Sequence, residues 1–218
     1  MKYQLCIFDL DGTLANTVES MAYSANLTLR ELGLQEQPSD AFRYFAGDGV
    51  YELTRRCLAA AGDEEGIYFD RFLSIYREHF AKYCMYQVKP YEGICALLEE
   101  LKKRGILRAV LSNKPHEQAV DVIGQLFGEG YFDFVQGQQE GIPRKPDPTG
   151  ALHIARMAKA LPTESLYIGD TNTDMMTGKR AGMDTVGVLW GFRDRKELED
   201  NQACYLVSSP EEILLLLE

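Results

Sequence analysis

The stretch Tyr3-Gln4-Leu5-Cys6-Ile7-Phe8-Asp9-Leu10-Asp11-Gly12-Thr13-Leu14 begins as an apolar run and ends in two carboxylates. Its weak alternation and its Leu, Ile and Phe content predict a strand over residues 3–9, buried on both faces. Where such a strand runs out, side chains two residues apart project to the same side, so Asp9 and Asp11 are brought together. Gly12 permits a sharp turn at that point, and Thr13 adds a hydroxyl.

Outward from this segment, residues 106–111, 166–168 and 185–189 have the same character, with 132–135 and 204–207 as shorter strands. Amphipathic helices separate them. Residues 92–104 place Ile94, Leu97, Leu98 and Leu101 on one face, carry Lys102, Lys103 and Arg104 in the last turn and stop at Gly105. Pro115 and Pro148 suit the first turns of two more helices. Thr171 or Asn172 caps another that ends at Gly182. Strands and helices alternating at this spacing predict an α/β fold, a Rossmann-like core whose parallel sheet is flanked by helices. The ligand site of such a sheet lies beyond the carboxyl ends of its strands.

Between residues 15 and 85 the alternation stops. Asn16 and Glu19 fit a capping box, and Val18, Met21, Ala22, Ala25, Leu29 and Leu32 form an apolar stripe ending at Gly33. Further helices are expected over 40–45, 50–61 and 65–83, the last with Tyr68, Phe69, Phe72, Tyr76 and Phe80 at core-like helical spacing. With no strand to add to the sheet, residues 15–85 are expected to form an inserted all-helical subdomain. Residues 1–14 and 86–218 then make the core.

The 218 residues carry 33 acidic and 23 basic side chains, a formal charge of −10. A surface this negative is repelled by nucleic-acid phosphates and anionic lipids, so neither nucleic acid nor membrane is expected as a partner. Apolar residues at 45% and charged ones at 26% fit a folded globular chain and not a disordered one. No apolar run approaches the roughly 18 residues of a membrane helix. The first residues lack signal-peptide architecture. The five cysteines are odd in number, scattered and without a C-x-x-C pair, as expected of buried reduced thiols in a cytoplasmic protein. His79, His116 and His153 lie too far apart in sequence to suggest a metal site.

A second carboxylate pair, Asp170 and Asp174, follows Tyr167-Ile168-Gly169 at another strand exit, one helical turn apart. Acidic, all-oxygen donors of this kind suit Mg²⁺. At a third exit, Leu111-Ser112-Asn113-Lys114 offers a hydroxyl and free N–H groups, and Arg144-Lys145-Pro146-Asp147-Pro148 sets Lys145 on a stiff loop.

Together these residues resemble the haloacid dehalogenase-like hydrolases, with Asp9-Leu10-Asp11-Gly12-Thr13 as the first motif, Ser112 the second, Lys145 the third and Gly169-Asp170 through Asp174 the fourth. The inserted segment resembles that family's first type of cap. Three stretches resemble its phosphoglycolate phosphatase group: Ala46-Gly47-Asp48-Gly49-Val50, Lys89-Pro90-Tyr91-Glu92-Gly93 and Leu189-Trp190-Gly191-Phe192-Arg193. The resemblance implies a Mg²⁺-dependent phosphatase of a small phosphorylated substrate, phosphoglycolate foremost, working through an aspartyl-phosphate. It makes Asp9 the nucleophile and Asp11 the general acid and then base. It gives the metal to Asp9, Asp170 and the backbone carbonyl of Asp11, with Asp174 either a further ligand or a group that orients the ligands. Ser112 and Lys145, with N–H groups near Gly12, Thr13 and Asn113, bind the phosphoryl oxygens.

Gly47, Asp48 and Gly49 read equally as a cap loop that closes over the substrate, with Asp48 or Arg55 near the leaving group, or as the start of the helix over 50–61 with Asp48 as its cap. Trp190 and Phe192 read as loop packing. Asp11 favours ester hydrolysis, since the family's dehalogenases lack it. An inorganic pyrophosphatase, another sugar-phosphate phosphatase or a β-phosphoglucomutase-like isomerase fits the same motifs, whereas a phosphate-binding module would not need both Asp9 and Asp11. A monomer or homodimer is expected.

Overall fold

Leu5, Cys6, Ile7 and Phe8 are wholly buried, and the reason is their place inside a sheet. In the computed structural model, which describes residues 2–217, they form β1 (Leu5–Phe8), followed by β2 (Ala15–Asn16) and α1 (Val18–Glu31). A 3-10 turn at Ser39–Ala41 leads into α2 (Phe42–Phe45), α3 (Val50–Ala60), α4 (Phe69–Tyr83) and β3 (Lys89–Pro90). Next come α5 (Ile94–Lys103), β4 (Leu107–Pro115), α6 (His116–Phe127), β5 (Phe134–Gln138) and α7 (Thr149–Ala158). The chain closes with β6 (Ser165–Gly169), α8 (Asn172–Arg180), β7 (Asp184–Val188), α9 (Arg195–Asp200), β8 (Tyr205–Val207) and α10 (Pro210–Leu215).

The chain folds into two compact units, Met1–Ala15 with Pro90–Glu218, and Asn16–Lys89. The first holds a six-stranded parallel sheet in the order β5-β4-β1-β6-β7-β8. The strands β4 and β6 lie on opposite sides of β1, so the order reverses there and the strands' carboxyl ends open a crevice. Leu5, Ile7, Ala109, Leu111, Ile154 and Tyr167 belong to one core cluster beneath it. Each such aliphatic side chain taken fully from water contributes about 1.5–3 kcal/mol.

In the second unit α1 packs on α4. Val18, Met21, Ala22, Ala25 and Leu29 are buried, as are Phe72, Tyr76 and Phe80, whose rings stack at 5.9 and 5.4 Å. The chain enters and leaves this unit through β2 and β3, which pair as a separate two-stranded sheet. No helix among the described residues is long and apolar enough to cross a membrane.

Several local expectations are corrected. Asn16 and Glu19 form no capping box: α1 starts at Val18 after Thr17, Asn16 Oδ1 accepts from the Val18 N–H, and Glu19 accepts from Ser39 Oγ. The helix expected from residue 65 begins at Phe69, because Asp63 accepts from the Ile67 and Tyr68 N–H groups and holds that stretch as a turn. The helix expected over 40–45 is split into a 3-10 turn and α2. Leu32 is half-buried at the end of its stripe. All five cysteines are free, but Cys95 and Cys204 are exposed.

Candidate active site

Three strand exits converge in the crevice. Phe8 pairs with Val110 of β4 on one side and Ile168 of β6 on the other, so the residues after each strand emerge side by side. The Asp9 N–H continues the ladder to the Ile168 carbonyl at 2.9 Å, which ties the first carboxylate to the sheet. Asp9, Asp170 and Asp174 are all buried, and each offers a carboxylate oxygen within 4.8 Å of the others. Lys145 Nζ enters the same cluster, 2.9 Å from Asp9 Oδ1 and 2.8 Å from Asp174 Oδ1.

Each carboxylate is held by local structure. Asp9 Oδ1 also accepts from the Leu10 N–H at 2.7 Å. Asp174 stands at the third position of α8 and completes a capping box with Thr171, accepting from its hydroxyl at 2.8 Å and its N–H at 3.1 Å. The bonds that start the helix therefore also aim the acid. Asp170 accepts from the Thr13 hydroxyl at 2.9 Å and the Phe192 N–H at 2.7 Å. Gly12, at φ +88°, lies so close that a Cβ there would stand 2.1 Å from Asp170 Oδ2, and one on Gly191 would stand 2.2 Å from Asp170 Cβ. Only glycine fits both approaches.

Electrostatics follow from this crowding. Burial, opposed by Lys145 and reinforced by the charges of Asp174, Asp170 and Asp11, holds the Asp9 carboxyl well above the usual range. Burial and the Asp174 charge raise Asp170 to about 7, against the pull of the Phe192 N–H and Thr13 hydroxyl. Burial also works against the Lys145 ammonium, but Asp174 and Asp9 outweigh it and hold its pKa well above that of an ordinary lysine. Three clustered carboxylates thus share one ammonium, and the surplus of negative charge on hard oxygen donors fits a divalent cation.

The sequence profile of the haloacid dehalogenase-like hydrolase family matches residues 6–188, a span that contains every one of these residues except Gly191 and Phe192. The chain belongs to that family. The phosphoglycolate phosphatase of Aquifex aeolicus is 33% identical over 215 residues, which cover 99% of this chain and 97% of that protein. The structure of a candidate phosphoglycolate phosphatase from Lactobacillus delbrueckii subsp. bulgaricus superimposes with a TM-score of 0.91 at 29% identity, covering 98% of this chain and 97% of its own. A candidate β-phosphoglucomutase from Thermotoga maritima superimposes with a TM-score of 0.76 at 25% identity, covering 98% of each chain.

In this haloacid dehalogenase-like hydrolase, Ser112 and Asn113 are buried on β4. Ser112 Oγ accepts from the Lys114 N–H at 3.2 Å. The Asn113 amide bonds the Lys145 backbone twice, at 3.0 and 3.1 Å, and so sets the loop that delivers Lys145. The Asp11 carboxylate is not part of the acidic cluster's triad; its Oδ1 lies 2.9 Å from Lys114 Nζ. Gly47, Asp48 and Gly49 lie in the Asn16–Lys89 unit. There Asp48 pairs with Arg56, which also donates to the Tyr44 and Phe45 carbonyls at 3.1 and 3.2 Å. Helix α3 begins after Gly49, and Arg55 pairs with Glu52.

Three contributors escape the sequence reading. Trp190 is more than packing: its indole N–H donates to the Thr13 carbonyl at 3.0 Å, and Phe192 holds Asp170 through its backbone N–H. No residue type marks a backbone donor. Lys114 is the third; its place just past the apolar run that ends at Leu111 is the available signal.

Proposed function

We propose that this phosphoric monoester hydrolase uses Mg²⁺ and hydrolyses a small phosphomonoester, phosphoglycolate foremost, through an aspartyl-phosphate on Asp9. The observation that carries the reading is the separate setting of two carboxylates two residues apart. Asp9 is buried in the acidic cluster against Lys145, while Asp11 is drawn to Lys114. The first setting suits a nucleophile that a bound cation, added to Lys145, would bring to its ionised form, the second a group that gives and takes a proton.

Asp9, Asp170 and Asp174, with the Asp11 backbone carbonyl, are the groups that would hold the ion. Bound there, Mg²⁺ would offset the surplus carboxylate charge and polarise a phosphoryl oxygen. An Asp9 oxygen attacks phosphorus in line, and the bond to the leaving alcohol breaks as Asp11 gives that oxygen its proton. Ionised Asp11 then takes a proton from a water whose oxygen attacks the same phosphorus; the bond to Asp9 breaks and inorganic phosphate leaves. Ser112, Lys145 and the N–H groups around Gly12, Thr13 and Asn113 stabilise the charge spread over the non-bridging oxygens. The inserted helical unit serves as the cap, with Gly47, Asp48 and Gly49 in its substrate-facing loop, and the enzyme works in the cytoplasm.

A panel of phosphoglycolate, pyrophosphate and sugar phosphates with Mg²⁺, compared by kcat/KM, tests the substrate. Phosphoglycolate is expected to lead; a preference for pyrophosphate would sink that choice. The fold shared with the Thermotoga maritima protein keeps an isomerase as the second reading, and a requirement for a bisphosphate activator would favour it.

Metal and pH should act together. Asp9 and Asp170 titrate above the roughly 3.9 of an unfolded aspartate. In excess EDTA the folded state therefore holds protons that the unfolded chain has released, and this contribution to stability is lost as pH rises through about 7. The chelated protein should melt at higher temperature at pH 6 than at pH 8, and should not hydrolyse substrate. Mg²⁺ needs the ionised carboxylates, so the rise in Tm it induces should shrink as pH falls over the same interval. A Mg²⁺-induced rise equal at both pH values would count against these carboxylates as the metal site.

A further inference from the structure

Lys114 is buried beside the reaction without belonging to any of the four motifs. Its side chain is only 2% exposed, yet its ammonium lies 2.9 Å from Asp11 Oδ1, on a carboxylate that is 15% exposed. A buried ammonium is costly unless it is paired, so the position of this side chain is tied to Asp11. The backbone fixes it further. Strand β4 runs on to Pro115, beyond the end at residue 111 that apolar content predicts, so Ser112, Asn113 and Lys114 are strand residues and not loop. The register against β5 shifts between Leu111 and Pro115, and local bonds set these side chains: the Lys114 N–H donates to Ser112 Oγ at 3.2 Å, while the Asn113 amide bonds the Lys145 backbone.

The carboxylates differ in how firmly they are anchored. Asp9, Asp170 and Asp174 each have two or more donors. Among the described residues the Asp11 carboxylate has a single hydrogen-bonded partner, and that partner is Lys114. An acid–base group loses efficiency when it rotates away from the atom it serves.

We propose that Lys114 is a positioning residue for proton transfer: its ammonium holds the Asp11 carboxyl toward the leaving-group oxygen. This rests on the acid–base role of Asp11 given above. A lysine that only filled space or only bound phosphate would affect every ester alike. One that positions Asp11 affects esters according to how much their leaving group needs a proton.

The test compares Lys114→Met, Lys114→Gln, Asp11→Asn and the double variant Asp11→Asn/Lys114→Met. Each is assayed by single-turnover phosphorylation on an alkyl phosphate and on 4-nitrophenyl phosphate, whose leaving group departs without protonation. Lys114→Met is expected to slow the alkyl ester on the order of 10²-fold and the aryl ester about threefold or less. Lys114→Gln, close in shape and uncharged, should show the same split if the methionine variant fails to fold. Adding Lys114→Met to Asp11→Asn should cost little more on either ester. Equal losses on both esters, or losses that multiply in the double variant, would overturn the proposal while leaving the aspartyl-phosphate mechanism standing. No ester split in Asp11→Asn would remove the acid–base role of Asp11 itself, and the proposal with it.

Discussion

Asp9→Asn is expected to lower kcat by on the order of 10⁴-fold or more while leaving the chain folded. Asparagine has the same shape, and its oxygen can still accept from the Leu10 N–H that orients Asp9. Lys145 keeps its bond to Asp174. What disappears is the anionic oxygen that attacks phosphorus. Two measurements check this: steady-state kcat, and acid-quench trapping of a phosphorylated protein from labelled substrate, which the wild type should give and the variant should not. An undiminished rate would remove Asp9 as nucleophile. The same change should raise the melting temperature of the chelated protein. Burial first, and then three neighbouring acids, make the Asp9 charge unfavourable in the folded state, so the wild type accepts a less stable fold in exchange for a nucleophile.

Lys145→Met should act in the opposite direction on stability. It strips the one ammonium that, among the described residues, touches the acidic triad and leaves three buried carboxylates facing one another. Breaking a buried pair by removing one partner typically costs about 3–5 kcal/mol. That loss should be read in EDTA by chemical denaturation, and it should shrink when Mg²⁺ is added, because a cation restores part of the missing charge. Activity should fall by at least about 10²-fold as well, the scale seen when one stabilising donor is removed from an anionic transition state. The loop itself should stay in place, since Asn113 grips the Lys145 backbone and not its side chain. Unchanged stability in EDTA would mean that the triad's charge is balanced by some other group.

Five of the sheet's six strands were legible as short apolar runs, whereas β5 starts two residues later than the expected 132–135 and runs on through Gln136, Gly137 and Gln138. Leu5–Phe8 and Ser165–Gly169 are buried throughout, and burial on both faces writes itself directly into residue type. The acids at the strand exits were legible for a related reason: a carboxylate just past an apolar run has no packing explanation. The errors fall where polar atoms decide. Strand β4 continues through Ser112, Asn113 and Lys114, which carry no apolar signal and are kept in the strand by the site they build. The start of α4 is set by the Asp63 carboxylate catching two N–H groups, a bond that spacing alone does not announce. Lys114 was passed over because lysine is ordinarily a solvated residue, and Phe192 because its contribution is a peptide N–H that any residue except proline possesses.

The paired β2 and β3 strands have a consequence for how this protein could change over time. Strands paired in a sheet run about 4.8 Å apart, so the points where the chain leaves and rejoins the core are neighbours. A segment with adjacent ends behaves as a cassette: it can be lengthened, shortened or replaced through one narrow neck without rethreading the sheet. The four acids and two lysines of the site all lie on the core side of that neck. Recombination or deliberate grafting at Ala15–Asn16 and Lys89–Pro90 could therefore exchange the helical insert while the phosphoryl-transfer residues keep their positions.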